Sequence, residues 1–172
     1  HQSGRRQRQM CIRDSVYGLT IGEYATMINN EGWLNNNMKS NLTIIELKNY
    51  NRKVTYDLPI LPSPNLPNRK SINLYPSLCL FEGTNVSAGR GTEMQFQIYG
   101  SPYLNKEKNN FRFTPKKNSG SKYPKHENLL CFGKNLSENK KLDKFDLSFL
   151  LNAYSDTNDK QNFFNNYFDK LA

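Results

Sequence analysis

A twelve-residue segment, FEGTNVSAGRGT at residues 81–92, concentrates the residue types that bind polar ligands. It contains the carboxyl group of Glu82, the amide of Asn85 and the guanidinium of Arg90, with hydroxyls and glycines between them. A guanidinium binds a carboxylate through two parallel hydrogen bonds, and amides and hydroxyls suit the hydroxyl groups of a sugar. Because charged side chains are costly to bury unpaired, the segment favours a site for a sugar that carries a carboxylate.

Two other interpretations of this segment are open. A phosphate loop needs glycines that open a helix, with Lys and then Ser or Thr after the last glycine. The GRGT motif lacks this lysine, and the alternating MQFQIYG that follows predicts a strand, so a nucleotide site is disfavoured. The other interpretation is a plain turn, in which Gly89 and Gly91 supply positive φ angles while Asn85 and Ser87 cap backbone groups. That turn would need no ligand.

Short helices and strands are predicted around the segment. Thr20 and Glu23 have the spacing of a capping box, which begins a helix that Gly32 would end. Short β-branched, aromatic or alternating runs predict extended or strand structure at residues 42–50, 53–60, 94–100, 111–117 and 128–136. Helical spacing predicts a C-terminal helix capped by Asp143, with an apolar stripe at Leu147, Leu150, Leu151 and Tyr154 that is repeated at Phe164, Tyr167, Phe168 and Leu171.

Prolines interrupt the middle of the chain. Four of them, between residues 59 and 67, predict an ordered extended loop or a crossing between subdomains. Residues 71–81 are apolar enough to be buried. Pro76 argues against an uninterrupted helix there unless it falls in the first turn.

The first fifteen residues are set apart from the fold. MCIRDS, at residues 10–15, resembles the translation of a sequencing-library adapter, so we expect residues 1–15 to be an artefactual or disordered leader rather than a nucleic-acid-binding arm. The leader carries +3 of the net charge of +9, which leaves +6 spread singly over the rest. This scattered charge predicts solubility and no nucleic-acid partner.

The remaining candidate residues predict little chemistry. Cys79 and Cys131, 52 positions apart, fit no metal-binding pattern, so buried thiols are expected, with a disulfide as the alternative. His126 lies in a polar loop and is expected to be exposed and solvated, and Trp33 either packs at a helix end or stacks on a sugar. The sequence indicates no metal or organic cofactor, shows no transmembrane segment and predicts no oligomeric state.

Four motifs carry a family resemblance. In chain order they are YGLTIGEYATMINNEGWL, PILPSPNLPN, LYPSLCLFEGTNVSAGRGT and FQIYGSPYL. Together they resemble the exo-β-N-acetylmuramidase (NamZ) family of peptidoglycan glycosidases over residues 16–104, and more loosely to the end of the chain.

The resemblance implies a hydrolase that removes terminal N-acetylmuramic acid from the non-reducing end of peptidoglycan fragments, in the periplasm or outside the cell. It implies an α/β architecture, in which a Rossmann-like domain meets a smaller C-terminal domain at the active cleft. We expect the end of the first domain, with the proline-rich crossing, at residues 16–70. An incomplete α+β C-terminal domain is expected at residues 71–172.

The resemblance also suggests roles for individual residues. Arg90 would clamp the lactyl carboxylate of N-acetylmuramic acid, and Glu82 would be a partner that orients Arg90 or, less favoured, a general acid. The amide and hydroxyls of the sugar would meet Thr84, Asn85, Ser87 and Thr92. Two departures concern Tyr17, at the margin of the site, where the family commonly has histidine, and Gln95, where it commonly has proline.

A Pro-Glu-His-Gly motif, which in this family looks like the source of the catalytic acid, is missing from the sequence. Glycoside hydrolysis needs such a proton donor. We therefore expect an enzyme fragment, cut at both ends, that shows no turnover alone. The alternatives are a non-catalytic muropeptide- or glycan-binding module and a structural domain whose glycine-rich segment only packs.

Overall fold

The computed structural model describes residues 19–49 and 57–166, and the chain divides into two compact units between Asp57 and Leu58. Four sets of predictions lie wholly or partly outside the described residues. They concern the leader at residues 1–15, Tyr17, the first half of the extended stretch at residues 53–60, and the helical repeat at Tyr167, Phe168 and Leu171.

The first unit contains helix α1, Ile21–Asn30, as predicted. The hydroxyl of Thr20 accepts the backbone N–H of Glu23 at 3.2 Å, and the Glu23 carboxylate accepts the backbone N–H of Thr20 at 2.7 Å. These reciprocal bonds satisfy two of the amides that every helix start leaves without a partner. Gly32 follows the helix with φ of 69°. A short 3₁₀-helix follows at Asn35–Asn37.

The strand predicted at residues 42–50 is wrong over its described part. Residues 42–47 have no regular secondary structure and residues 48–49 form a turn. A β-branched run becomes a strand only when another strand pairs with it, and the described part of the first unit holds none. Ile45 is 91% exposed as a result.

The second unit begins with helix α2, Arg69–Leu78, which runs into a 3₁₀-helix at Cys79–Gly83. The reservation about Pro76 is wrong, because this proline lies in the last turn of α2 rather than the first. A proline there removes one late hydrogen bond, and the helix tightens into 3₁₀ geometry three residues later. Residues 71–81 are largely buried, as predicted.

A three-stranded antiparallel sheet forms the centre of the second unit. Its order is β1 (Ile98–Ser101), β3 (Cys131–Asn135) and β2 (Phe111–Phe113). Gly100 lies opposite Gly133, and Gly133 also lies opposite Phe111. Strand β1 begins four residues later than the predicted 94–100, because Phe96, with φ of 52°, turns the backbone out of the extended conformation.

Helix α3, Ser148–Asp156, closes the second unit. It begins later than predicted, and the carboxylate that bonds its first amide is Asp146, at 2.8 Å, rather than Asp143. The repeat of the helix at Phe164 is wrong, since this residue forms an isolated β-bridge with Thr84. The core between α2, α3 and the sheet consists mainly of Leu74, Leu78, Phe81, Phe96, Ile98, Leu104, Cys131 and Phe163.

Helices and a small antiparallel sheet make the described fold α+β, as predicted for this chain. Across residues 19–49 and 57–166, no helix combines the length and the apolar character that crossing a bilayer requires.

Candidate functional site

Segment 81–92 lies between the 3₁₀-helix that follows α2 and strand β1, and it turns where its glycines lie. Gly89 has φ of 75° and Gly91 has φ of 83°, as predicted. A Cβ atom on Gly91 would lie 2.6 Å from Cβ of Pro124 and 2.7 Å from the carbonyl oxygen of Lys116. The positive φ and this close approach both require glycine.

Glu82 and Arg90 form an ion pair across the segment. Nη1 of Arg90 donates to Oε1 of Glu82 at 2.9 Å, and the side chains are 28% exposed for Arg90 and 17% for Glu82. The pair removes the cost of placing either charge alone in a largely buried turn. One of the five guanidinium N–H donors of Arg90 is used in this bond.

The three hydroxyls of the segment bond to its own backbone. Thr84 Oγ1 donates to the carbonyl of Phe81 at 2.9 Å and accepts Val86 N–H at 3.0 Å. Thr92 Oγ1 donates to the carbonyl of Gly89 at 2.7 Å, and Ser87 Oγ accepts Gly89 N–H at 3.3 Å. Thr84 is fully buried and Ser87 nearly so. These hydroxyls shape the turns, and their assignment as sugar ligands stays a prediction.

Asn85 and Arg90 hold polar atoms that have no partner. Both side-chain amide atoms of Asn85 and Nε of Arg90 are buried without a hydrogen bond in the described part of the chain. A buried polar atom without a partner costs about 1–3 kcal/mol. These three atoms are therefore candidates for contact with a polar ligand.

Lys125 also contacts segment 81–92, and nothing in the sequence indicated this. We refer to Glu82, Asn85, Arg90, Lys125 and His126 as the cluster. Its ammonium donates to the carbonyls of Phe81 at 2.6 Å and Thr84 at 2.5 Å, with Glu82 and Val86 at 3.2 and 3.3 Å. Burial lowers the pKa of Lys125 to about 8, an effect that Glu82 opposes and Arg90 increases. Its position some 40 residues from its partners left no spacing signal to find it.

The prediction for His126 is wrong. Its Nε2 lies 2.6 Å from the carbonyl oxygen of Asn85 and 3.4 Å from Oγ of Ser101, and the residue is only partly exposed. Because a carbonyl only accepts, Nε2 carries the hydrogen. Burial lowers the pKa of His126, while the Asn85 carbonyl opposes this shift.

His126 and Lys125 lie in loop 118–128, whose polar composition is typical of an exposed loop. The loop is anchored by buried Pro124 against Gly91 and by a bond from Asn118 Nδ2 to the carbonyl of Thr92 at 3.3 Å. Asn65, in the proline-rich stretch, donates to the carbonyl of Gly120 at 2.7 Å. The PSPNLP motif thus contacts the loop that contacts segment 81–92.

The remaining candidate residues are two cysteines, Trp33 and Gln95. Cys79 and Cys131 are buried free thiols, as predicted, and burial raises the pKa of each to about 12. Trp33, in the first unit, is 62% exposed. Gln95 is buried, and its Oε1 has no partner in the described part of the chain. Within that part, no group of three or more His, Cys, Asp or Glu residues is placed to hold a metal ion.

The cluster is richer in hydrogen-bond donors than in carboxyl groups. It offers a guanidinium with four further N–H donors, an amide with an open donor and acceptor, and one carboxyl group that is already bonded to Arg90. This is a donor-rich surface, suited to a ligand that carries a carboxylate and an amide.

Comparison with known proteins finds the same family in both halves of the chain. The family model of the exo-β-N-acetylmuramidase NamZ C-terminal domain matches residues 73–172, and the model of its N-terminal domain matches residues 10–70. The chain is 41% identical over 92 residues to the peptidoglycan β-N-acetylmuramidase NamZ of Bacillus subtilis (strain 168). That alignment covers 51% of this chain and 21% of the relative, so the chain spans about a fifth of that protein.

A solved structure shows the same fold. The crystal structure of a DUF1343 family protein from Bacteroides fragilis NCTC 9343 superposes with a TM-score of 0.82 and 45% identity. The match covers 91% of this chain and 45% of the solved chain. With both family models matched in order along its length, the chain belongs to the exo-β-N-acetylmuramidase NamZ family.

Proposed function

We propose that this chain is part of a glycoside hydrolase that removes N-acetylmuramic acid from the non-reducing end of peptidoglycan fragments. The supporting facts are the family membership and the activity in the name of the Bacillus relative, a peptidoglycan β-N-acetylmuramidase. Such an enzyme would serve cell-wall turnover, and a substrate of cell-wall debris places its work in the periplasm or outside the cell.

The observation that carries the proposal is the set of unpartnered polar atoms on Asn85 and Arg90. N-acetylmuramic acid differs from other cell-wall sugars by its lactyl carboxylate and shares with N-acetylglucosamine an N-acetyl amide. In the proposed complex, Arg90 binds the carboxylate and Asn85 exchanges hydrogen bonds with the amide. Each contact satisfies a buried group that is otherwise left without a partner.

Glu82 acts in this proposal by positioning Arg90. Its Oε1 holds Nη1 of Arg90 at 2.9 Å, which fixes the plane of the guanidinium and leaves its other donors for the ligand. A carboxyl group bonded in this way suits an orienting role better than that of proton donor. The catalytic acid then belongs to the Pro-Glu-His-Gly motif that the sequence of residues 1–172 lacks.

The proposed division of the chain is supported by the order of the two family models along it. Residues 16–70 would be the end of a Rossmann-like domain with its proline-rich crossing, and residues 71–172 the cleft-forming part of the C-terminal domain. Because the acid lies elsewhere, residues 1–172 alone would bind the sugar without hydrolysing it. The rival function is a non-catalytic muropeptide-binding module. One observation favours it, since the carboxylate of Glu82 is already paired with Arg90.

Binding of two sugars to residues 1–172 tests the proposal. N-acetylmuramic acid and N-acetylglucosamine differ by the lactyl group, so the first is expected to bind about tenfold more tightly, the worth of one charge-assisted hydrogen bond. Arg90→Met should remove that preference, and Asn85→Ala should weaken both sugars. Arg112→Met is the control, since Arg112 is exposed over the ring of Phe132.

Equal affinity for the two sugars, or a preference that survives Arg90→Met, would contradict the carboxylate clamp. Turnover separates enzyme from binding module. The product of the complete reading frame should release the chromophore from a chromogenic N-acetylmuramic acid glycoside, whereas residues 1–172 alone should release none. Hydrolysis by residues 1–172 would show that the catalytic acid lies within them.

A further inference from the structure

The side chain of Lys125 ends inside a ring of backbone oxygens. Four carbonyls, from Phe81, Glu82, Thr84 and Val86, lie between 2.5 and 3.3 Å from its Nζ. An ammonium has three N–H donors, so the four acceptors share all of them. None is left over for a ligand, which distinguishes Lys125 from Arg90.

These four carbonyls belong to one tight stretch, the 3₁₀-helix end and the turn that precedes Ser87. Carbonyl oxygens that converge on one point repel each other, and a cation between them reverses that repulsion. The amide of Asn165 assists at 3.3 and 3.4 Å from the carbonyls of Glu82 and Thr84, but it brings no charge. The ammonium therefore adds a charged contact to residues 81–86, beside the bonds of the Thr84 hydroxyl and the backbone bonds to Phe163 and Asn165.

His126, which follows Lys125 in the loop, bonds to a further carbonyl of the same stretch, that of Asn85. His126 Nε2 donates to the carbonyl of Asn85 at 2.6 Å, so Lys125 and His126 together bind the carbonyls of Phe81, Glu82, Thr84, Asn85 and Val86. The side chains of Glu82 and Asn85 project from this stretch. Any movement of its backbone moves the Glu82 carboxylate, which is paired with Arg90, and the buried Asn85 amide, which has no partner in the described part of the chain.

We propose that Lys125 is the positioning residue of the sugar site, an internal cation that fixes residues 81–86 so that Glu82, Asn85 and Arg90 converge on N-acetylmuramic acid. The ligand named here rests on the proposed function. The positioning of the segment rests on the four carbonyl contacts and stands apart from the identity of the ligand. Burial holds the pKa of Lys125 near 8, so the ammonium form prevails at neutral pH.

The test uses residues 1–172 with Lys125→Met, which keeps an unbranched side chain one atom shorter and removes its donors. Hydrogen exchange at the amides of Thr84, Asn85, Val86 and Ser87 should accelerate at least about tenfold, while amides of the β1–β3 pair keep their protection. The Kd for N-acetylmuramic acid should rise about tenfold or more. Lys122→Met, an exposed lysine of the same loop, should change neither quantity.

Chemical rescue separates positioning from general stability. Lys125→Ala lacks three methylenes and the ammonium, and n-propylammonium supplies these atoms. It should restore both the protection and the Kd. Tetramethylammonium at the same ionic strength carries the charge without an N–H donor and should restore neither.

Unchanged exchange and unchanged Kd in a folded Lys125→Met variant would overturn the proposal. If the variants do not fold, NMR of the unaltered chain decides. The Lys125 ammonium should exchange slowly with water and show hydrogen-bond couplings to the carbonyl carbons of Phe81 and Thr84, and rapid exchange like that of Lys122 would refute the ring. If the unaltered chain does not bind N-acetylmuramic acid, the proposed function fails, while the exchange measurement still decides the role of Lys125.

Discussion

The two regions that build the cluster are held in opposite ways. The side-chain hydroxyls of segment 81–92 bond locally, since those of Thr84, Ser87 and Thr92 bond to backbone groups two or three residues away. Loop 118–128 instead reaches across the fold, and Lys125 and His126 donate to carbonyls between 39 and 44 residues away. The side-chain bonds of the segment are thus local, and those of the two loop residues are long-range.

The largest expected effect comes from separating the two regions at their closest approach. Gly91→Ala forces a positive-φ residue to carry a Cβ atom 2.6 Å from Pro124 and 2.7 Å from the carbonyl of Lys116. We expect a loss of about 2–4 kcal/mol in the free energy of unfolding, measured by denaturant titration, because backbone strain and overpacking add.

Gly32→Ala is the matched control for this change. Gly32 also has positive φ, 69°, but a Cβ atom there would meet its nearest neighbour at an ordinary 3.4 Å. Backbone strain alone should then cost about 1 kcal/mol. Equal losses in the two variants would mean that segment and loop do not press on each other at Gly91.

A smaller effect is expected from acid, and it acts through the loop. The pKa of His126 is lowered in the folded chain, chiefly by burial, so below its ordinary value of 6.5 the unfolded chain binds a proton that the folded chain does not. The contribution of His126 to the unfolding free energy is therefore complete above pH 6.5 and is lost as pH falls towards its folded pKa.

Thermal melting between pH 7.5 and 5 checks this prediction. His126→Gln keeps an N–H donor for the Asn85 carbonyl but does not titrate, so its melting temperature should fall less over this range than that of the unaltered chain. Identical pH dependence in both proteins would show that His126 does not sense the acid.

The smallest expected effect is the loss in the free energy of unfolding when an ion pair is removed, and each region offers one pair for the comparison. Glu82→Gln should cost about 0.5–1 kcal/mol, because the pair with Arg90 at 2.9 Å is partly shielded from water. Glu127→Gln, in the loop, breaks a longer contact of 3.7 Å to the exposed Lys117 and should cost about 0.2 kcal/mol or less. Denaturant titration of both variants measures the difference, and a larger loss at Glu127 would reverse the comparison.

The turns and the candidate ligand-binding residues of segment 81–92 could be predicted from the sequence, because they depend on residues close together in the chain. Glycines at the two positions with positive φ, an acid and a guanidinium eight positions apart, and hydroxyls next to turns all lie within twelve residues. The capping box of α1 and the buried cysteines were predicted for the same reason, since each depends on neighbouring residues or on the chemistry of one side chain.

The contacts of loop 118–128 could not be predicted, because no pattern in the neighbouring sequence indicates them. Lys125 and His126 lie in a polar stretch with no period, and only the folded chain shows that Pro124 and Asn118 anchor them. The strand predicted at residues 42–50 failed for a related reason, since β-branched residues need a partner strand that the pattern itself does not supply. Pro76 shows the reverse, a breaker that a helix accepts in its last turn.

The ring of carbonyl oxygens around Lys125 affects how the order of residues 81–86 depends on the salt in solution. Carbonyl-lined sites of this kind ordinarily hold a free monovalent ion, and they empty when that ion is diluted or exchanged. Here the ion is covalently tethered, so its effective concentration at the ring is set by the chain and not by the medium. Residues 81–86 gain the order of an ion-bound loop without requiring any particular salt.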